Sequence, residues 1–302
     1  MVFQSVAETL FVETPNLNPD KYRFFTALRP FSFSVALICC GLGIAIAFAR
    51  GEGDWLRAID IILCGLLLQA AANLANDYAD IQFWKDSGHP DEDHVIKQIK
   101  SNFKLAGIFT FTAIGLGLWL VYLVGWELFA LGISGIIAGY FYTGEPVVYK
   151  HRGFGVPAVF ILTGVLMVSA SYYGVTGVWD NQVAIISIPV SLITAALLVA
   201  NELRDYVDDK NDGIGTLTVR MGFDLSRAFY VILLFAVYPV SLNLYLYDFL
   251  QQPLFLLLPL LVIWQPIRLL KEEPGSEVLK KLPPLTGRFF MVFGVCFIAV
   301  LF

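Results

Sequence analysis

Apolar runs long enough to cross a bilayer recur nine times along the chain, separated by short polar segments. They fall near 31–49, 57–83, 104–124, 127–143, 155–176, 183–207, 226–247, 253–270 and 285–302. A spanning helix needs about 20 predominantly apolar residues. In hydrocarbon every backbone N–H and C=O must be satisfied within the segment, so each run is expected to be helical. The pattern predicts an all-α integral membrane fold of nine transmembrane helices. Only Gly125 and Trp126 separate the third window from the fourth, which makes that hairpin tight.

Polarity intrudes at the ends of two of these runs. After the apolar stretch 59–72 comes NLANDYAD, Asn73 to Asp80. Continued as a helix, it brings Gln69, Asn73, Asn76, Asp77 and Asp80 to one side by steps of three and four residues. An Asp near membrane depth costs about 2.5–3.5 kcal/mol at a helix centre and less toward the interface, so a function is expected to offset it. The pattern returns 128 residues further on as NELRDYVD, Asn201 to Asp208, at the end of the run 183–200. The two helix ends are expected to come together, with the rest of the chain as their scaffold.

Composition agrees with a membrane protein. Of 302 residues 57% are hydrophobic and only 15% charged, with a mean hydropathy of +0.70, where soluble domains carry about a quarter charged residues. The first thirty residues contain Glu8, Glu13 and Asp20 and no signal-peptide pattern. Cys39, Cys40, Cys64 and Cys296 lie inside apolar runs and read as small embedded side chains, with neither disulfide nor metal spacing. The net charge of −5 comes with acids concentrated at the two motifs, and no nucleic-acid partner is expected.

Basic residues set the orientation. With the N-terminus inside, eighteen of the twenty Lys and Arg fall in inner segments, and only Arg50 and Arg57 lie outside. This predicts an N-in, C-out chain with both Asp motifs at the cytoplasmic face, at the mouth of a central cavity. Segment 1–28 reads as cytoplasmic and partly an interfacial helix, with Phe24, Phe25 and Leu28 beside Lys21, Arg23 and Arg29. Arg29 can face the mouth, with a juxtamembrane anchor as the first expectation. The whole of 1–302 reads as one transmembrane domain.

Asp77, Asp80 and Asp86 mark the end of one window, and Asp205, Asp208, Asp209 and Asp212 the end of the other. Hard oxygen donors in that number suit Mg²⁺, which keeps waters and bridges to substrate phosphates. Lys150, Arg152, Arg204 and Lys210 would draw in an anionic diphosphate and stabilise its developing charge. Lys150 and Arg152 serve equally as positive-inside anchors, and Arg204 can clamp phosphate or pair with Asp208. Tyr140, Tyr142, Tyr172 and Tyr173 can line a pocket with their π faces or belong to the interfacial aromatic belt. His89, His94 and His151 have no metal-ligand spacing.

Nine windows, an N-D-x-x-D motif after the second and a D-x-x-x-D motif after the sixth resemble the UbiA-type membrane prenyltransferases over nearly the whole chain. The resemblance implies that Asn76, Asp77, Asp80 and Asp86, with Asp205 and Asp209, hold Mg²⁺ and the diphosphate of a prenyl donor. Asn73 and Asn201, which align between the two motifs, are expected to bind substrate beside them. The six-residue step from Asp80 to Asp86 is similar to the branch that prenylates 1,4-dihydroxy-2-naphthoate in menaquinone synthesis. So are the segments 139–155, 169–177, 213–222 and 282–287. Val156, Ile214 and the loop between the second and third windows depart from that branch.

The implied activity is Mg²⁺-dependent transfer of a polyprenyl group to an aromatic acceptor, in the cytoplasmic membrane of a prokaryote. The runner-up acceptor is 4-hydroxybenzoate or another phenol. A cation-coupled transporter is the alternative from another class. Against it, both motifs lie at one face and their two copies run in the same direction.

Overall fold

The computed structural model describes residues 18–85, 87–143 and 146–302. Among these residues the chain is helical and contains no strand. Its main helices are α1 (Phe33–Ala49), α2 (Trp55–Asn76), α3 (Glu92–Val124), α4 (Trp126–Thr143), α5 (Gly155–Thr176) and α6 (Ile188–Arg204). They continue with α7 (Tyr206–Asn211), α8 (Leu217–Met221), α9 (Phe223–Leu246), α10 (Leu260–Leu269) and α11 (Leu282–Ala299). Six helices are long and apolar enough to cross a membrane: Phe24–Ala49, Trp55–Asn76, Glu92–Val124, Gly155–Thr176, Phe223–Leu246 and Glu277–Ala299. The other three windows hold the shorter helices α4, α6 and α10.

Three windows differ in detail from the sequence expectation. The second does not stay α-helical to 83: α2 ends at Asn76 and tightens to a 3₁₀ turn at Asp77–Asp80. The sixth is broken at Ser187 and again at Asp205. The eighth yields a 3₁₀ turn, Pro253–Leu257, and then the ten-residue α10, which starts just after Pro259, a residue with no backbone donor to continue a helix from the preceding turn.

The chain divides into two compact units, residues 1–30 with 67–112, and 31–66 with 113–302. In the larger unit α6 is the central element, packed by α5, α9 and α11. Its core includes the fully buried Phe289, Phe290, Phe293 and Phe297 of α11 and Tyr230 of α9, whose hydroxyl lies 2.6 Å from Thr286 Oγ1. Close helix approach depends on small residues. A Cβ at Gly43 of α1 would lie 2.3 Å from the Val168 carbonyl oxygen on α5. A Cβ at Gly164 would lie 2.4 Å from Ser191 Cβ, where a π-helical stretch, Phe160–Leu166, meets α6.

The smaller unit wraps the segment 18–30 onto the end of α2 and the start of α3. Trp84, fully buried, takes the Tyr22 ring edge-on at 5.8 Å, with Ile81, Val95 and Ile99 around it. Asn102 of α3 donates to the Tyr22 carbonyl at 2.9 Å. Ala27, Ala71, Leu74 and Ala106 form a second small cluster.

Candidate active site

In the smaller unit the first motif is built by the 3₁₀ turn. Residues i and i+3 eclipse one another in such a turn, so Asp77 and Asp80 stand on one side of it. Asp77 is 1% exposed; Arg29 donates to its Oδ1 at 2.7 Å, and its buried Oδ2 has no hydrogen-bond partner among the described residues. Asp80 accepts from Lys21 Nζ at 2.6 Å and from the Tyr22 hydroxyl at 3.1 Å. Burial alone would lower the Lys21 pKa, and the bond and charge of Asp80 outweigh it, so the ammonium is held above its ordinary value. Asn73, buried, donates to the Leu28 carbonyl at 2.7 Å and so ties the same segment to α2. Asn76 closes α2 with an exposed side chain, and Asp86 lies outside the described residues.

Arg29 is therefore a partner of Asp77 and does not stand free as a juxtamembrane anchor. Its φ of 50° is left-handed, a strained choice for a residue that precedes proline. The strain accompanies a guanidinium carried onto a buried carboxylate. Sequence reading missed Lys21 and Tyr22 as partners of Asp80, since 59 and 58 residues separate them and no local pattern links them.

In the larger unit the second motif sits where α6 gives way to α7. Arg204 does not pair with Asp208: its Nε and NH2 grip both oxygens of its neighbour Asp205, at 2.7 and 2.6 Å. Asp208 is exposed, whereas Asp209 is buried and accepts from Thr216 Oγ1 at 3.4 Å. Of the two acids, Asp209 is thus the one the fold builds around. Burial pushes its carboxyl above the ordinary value, with Lys150 acting in the opposite direction. Asn201 donates to the Leu197 carbonyl of its own helix at 3.0 Å. Arg152 is exposed and donates to the Pro146 carbonyl at 3.0 Å, while Lys210 is exposed on α7.

The tyrosines divide. Tyr142 is half-buried, edge-on to Tyr149 at 5.4 Å, and lies near Gly155 and Glu202. Tyr140, two residues earlier on α4, is 62% exposed. Tyr172 and Tyr173 do not join the second motif. Their hydroxyls donate to Glu52 at 2.5 Å and Glu127 at 3.3 Å, and Arg50 bonds both Tyr172 and Asp180. They lie at the far end of α5 from Gly155, on the order of 25 Å away at 1.5 Å per residue. Glu202 was not foreseen; it is 3% exposed and takes the Thr218 N–H at 3.0 Å.

Does this donor set fit a divalent cation? The donors are carboxylate oxygens, which suit hard ions, and Asp77 Oδ2, unpartnered among the described residues, is a buried acceptor with a bond still to make. Among the described residues no group of three or more His, Cys, Asp or Glu stands ready to hold a metal by itself. Mg²⁺ ordinarily keeps several waters and leans on substrate phosphates. The fit is to an ion shared with an anionic ligand.

Comparison with known proteins shows the family. A sequence profile of the UbiA prenyltransferase family matches residues 36–294. The chain belongs to this family. It is accordingly a prenyltransferase. It is 28% identical over 282 residues to the chicken (Gallus gallus) UbiA prenyltransferase domain-containing protein 1, covering 91% of this chain and 83% of that one. To the 1,4-dihydroxy-2-naphthoate octaprenyltransferase of Bacillus subtilis it is 30% identical over 200 residues, 64% of each chain. Among solved structures, a UbiA homolog from Archaeoglobus fulgidus bound to GPP and Mg²⁺ superposes with a TM-score of 0.55 at 14% identity, over 92% of this chain and 99% of that one. A digeranylgeranylglyceryl phosphate synthase gives 0.55 at 17% identity, over 91% and 98%. These two likenesses are of fold.

Proposed function

We propose that the chain transfers a polyprenyl group from a prenyl diphosphate to an aromatic acceptor in a Mg²⁺-dependent reaction, the acceptor being 1,4-dihydroxy-2-naphthoate in menaquinone biosynthesis. The observation that carries this reading is the first motif: two carboxylates on one 3₁₀ turn, one of them with a buried oxygen that has no partner among the described residues. The Bacillus relative's name supports the acceptor, and the Archaeoglobus neighbour's ligands support the donor and the ion.

In this reading Asp77, Asp80 and Asp86 with Asn76, and Asp205 and Asp209, hold the ion and the donor diphosphate. Bound there, Mg²⁺ would neutralise the diphosphate and make it a good leaving group. Lys150, Arg152, Arg204 and Lys210 stabilise the charge that grows on pyrophosphate as the C–O bond breaks with its electron pair. The Tyr142 ring faces the allylic cation that remains, and apolar walls keep water from it. An aromatic carbon of the acceptor closes the new C–C bond, and its ring sheds CO₂ in the naphthoate case or a proton in a phenol. Asn73 supports the first motif by holding the segment that carries Lys21 and Arg29.

The proposal extends to placement: residues 1–302 act as one prenyltransferase domain of nine spans, N-in and C-out, with both motifs toward the cytoplasm of a prokaryote. The activity is tested with purified protein in nanodiscs, geranylgeranyl diphosphate, Mg²⁺ and two acceptors side by side, read by mass spectrometry. A prenylated, decarboxylated naphthoquinol is expected. Prenylation of 4-hydroxybenzoate alone would overturn the acceptor, and no product with either acceptor would overturn the transfer to an aromatic ring.

A further inference from the structure

Behind Asp209 runs a line of buried polar groups that the reaction itself does not require. Thr216 Oγ1 donates to Asp209 Oδ2 at 3.4 Å; Thr216 and Thr218 hydroxyls lie 3.3 Å apart; the Thr218 N–H donates to Glu202 Oε2 at 3.0 Å. All four residues are buried, at 9%, 0%, 1% and 3% exposure for Asp209, Thr216, Thr218 and Glu202. A connected polar run in such a place fixes its members' orientations.

The detail that makes sense of it is the start of α8. Thr216 is the N-cap of that helix, where a threonine ordinarily uses its side-chain oxygen to accept the N–H two or three residues on. Here it makes no such bond. The N–H in question, that of Thr218, is taken instead by Glu202 reaching across from α6. Glu202 thereby does the capping, and the Thr216 hydroxyl is released toward Asp209. The cost of the arrangement is visible in Glu202 Oε1, which is buried without a hydrogen-bond partner among the described residues. A Cβ added at Gly155 would sit 3.5 Å from that oxygen and 3.7 Å from the Tyr142 ring, so space beside it is small.

We propose that Glu202, Thr218 and Thr216 are positioning residues for Asp209: Glu202 caps α8 in place of its own N-cap so that the Thr216 hydroxyl can hold the Asp209 carboxylate in one orientation for the cation. This rests on the reading of Asp209 as a metal ligand given under Proposed function. Groups that orient a ligating carboxylate typically change metal affinity by about 10–100-fold when lost.

The test is Mn²⁺ binding to the purified full chain, followed by electron paramagnetic resonance with inorganic pyrophosphate present, beside the metal-free melting temperature. Thr216→Val keeps the shape and removes the hydroxyl; it should weaken Mn²⁺ binding about tenfold or more with the melting temperature little changed. Glu202→Leu should do the same, and Glu202→Gln, whose amide oxygen still accepts the Thr218 N–H, should stay close to the parent. Thr194→Val, which removes a buried hydroxyl of α6 bonded to the Ser191 carbonyl, should leave binding unchanged. Should Glu202→Leu fail to fold, Thr216→Val and Glu202→Gln carry the test. Binding within twofold of the parent in Thr216→Val, with binding lost in Asp209→Asn, would overturn the positioning role and leave the metal site standing. Unaltered binding in Asp209→Asn would overturn both.

Discussion

At the scale of single residues, the proposed chemistry rests on a few carboxylates and the cations that meet them. Asp77→Asn and Asp205→Asn should each lower kcat by about 10²–10³-fold or more, the scale on which single electrostatic contacts to a developing charge act. Arg29→Ala leaves a carboxylate that is 1% exposed without its ion partner, and should destabilise the fold by up to about 3 kcal/mol. Adding Asp77→Asn to it should restore part of that loss, a coupling that a double-mutant cycle of unfolding in detergent would read. Additive losses would mean the pair is not coupled.

The acids themselves were legible because a carboxylate at the end of an apolar run has few structural excuses. Their partners were not. Lys21 and Arg29 reach Asp80 and Asp77 across 59 and 48 residues of sequence, and nothing in local spacing marks such a contact. Glu202 was in plain sight inside NELRD, yet its role depends on a loop that returns fourteen to sixteen residues later. Tyr172 and Tyr173 were left between pocket and interfacial belt, and their hydroxyls meet Glu52 and Glu127.

At the scale of elements, hydrophobic periodicity located the helices well and their interruptions poorly. The 3₁₀ turn at Asp77–Asp80 and the break at Asp205 both fall on the motifs, whose carboxylates bond the side chains of Arg29, Lys21, Tyr22 and Arg204. Pro259 marks the start of α10. Close packing gives a prediction at this scale. Gly43→Val would force a side chain into the Val168 carbonyl, and should lower stability by on the order of 1–3 kcal/mol, seen as a lower melting temperature in detergent. An unchanged melting temperature would contradict the close approach of α1 and α5.

The junction of Arg50 with the loop before residues Asn181–Ile186 gives another. Burial would raise the Asp180 pKa, and the Gln182 N–H and the Arg50 guanidinium outweigh it, holding the carboxyl below its ordinary 3.8. A carboxyl depressed in the folded state contributes its stability in full above the unfolded value and loses it as pH falls through the folded one. Asp180→Asn should therefore show a smaller loss of melting temperature than the parent as pH is lowered below 3.8. Equal losses would remove Asp180 from the account.

At the scale of the whole molecule, the chain belongs to the UbiA prenyltransferase family and, among the described residues, is helical with six candidate spans. The helical, membrane-spanning character was readable because lipid imposes a length rule on sequence. The acceptor was not readable to the same degree, because specificity lies in pocket contacts that no motif spells out. The most direct measurement is prenyl transfer from geranylgeranyl diphosphate to 1,4-dihydroxy-2-naphthoate by the parent, Asp77→Asn and Asp205→Asn in matched nanodiscs. Mg²⁺-dependent product in the parent and its near-complete loss in both folded variants is the predicted result. Parent-like product in either variant would contradict the central claim that the two motifs carry the reaction.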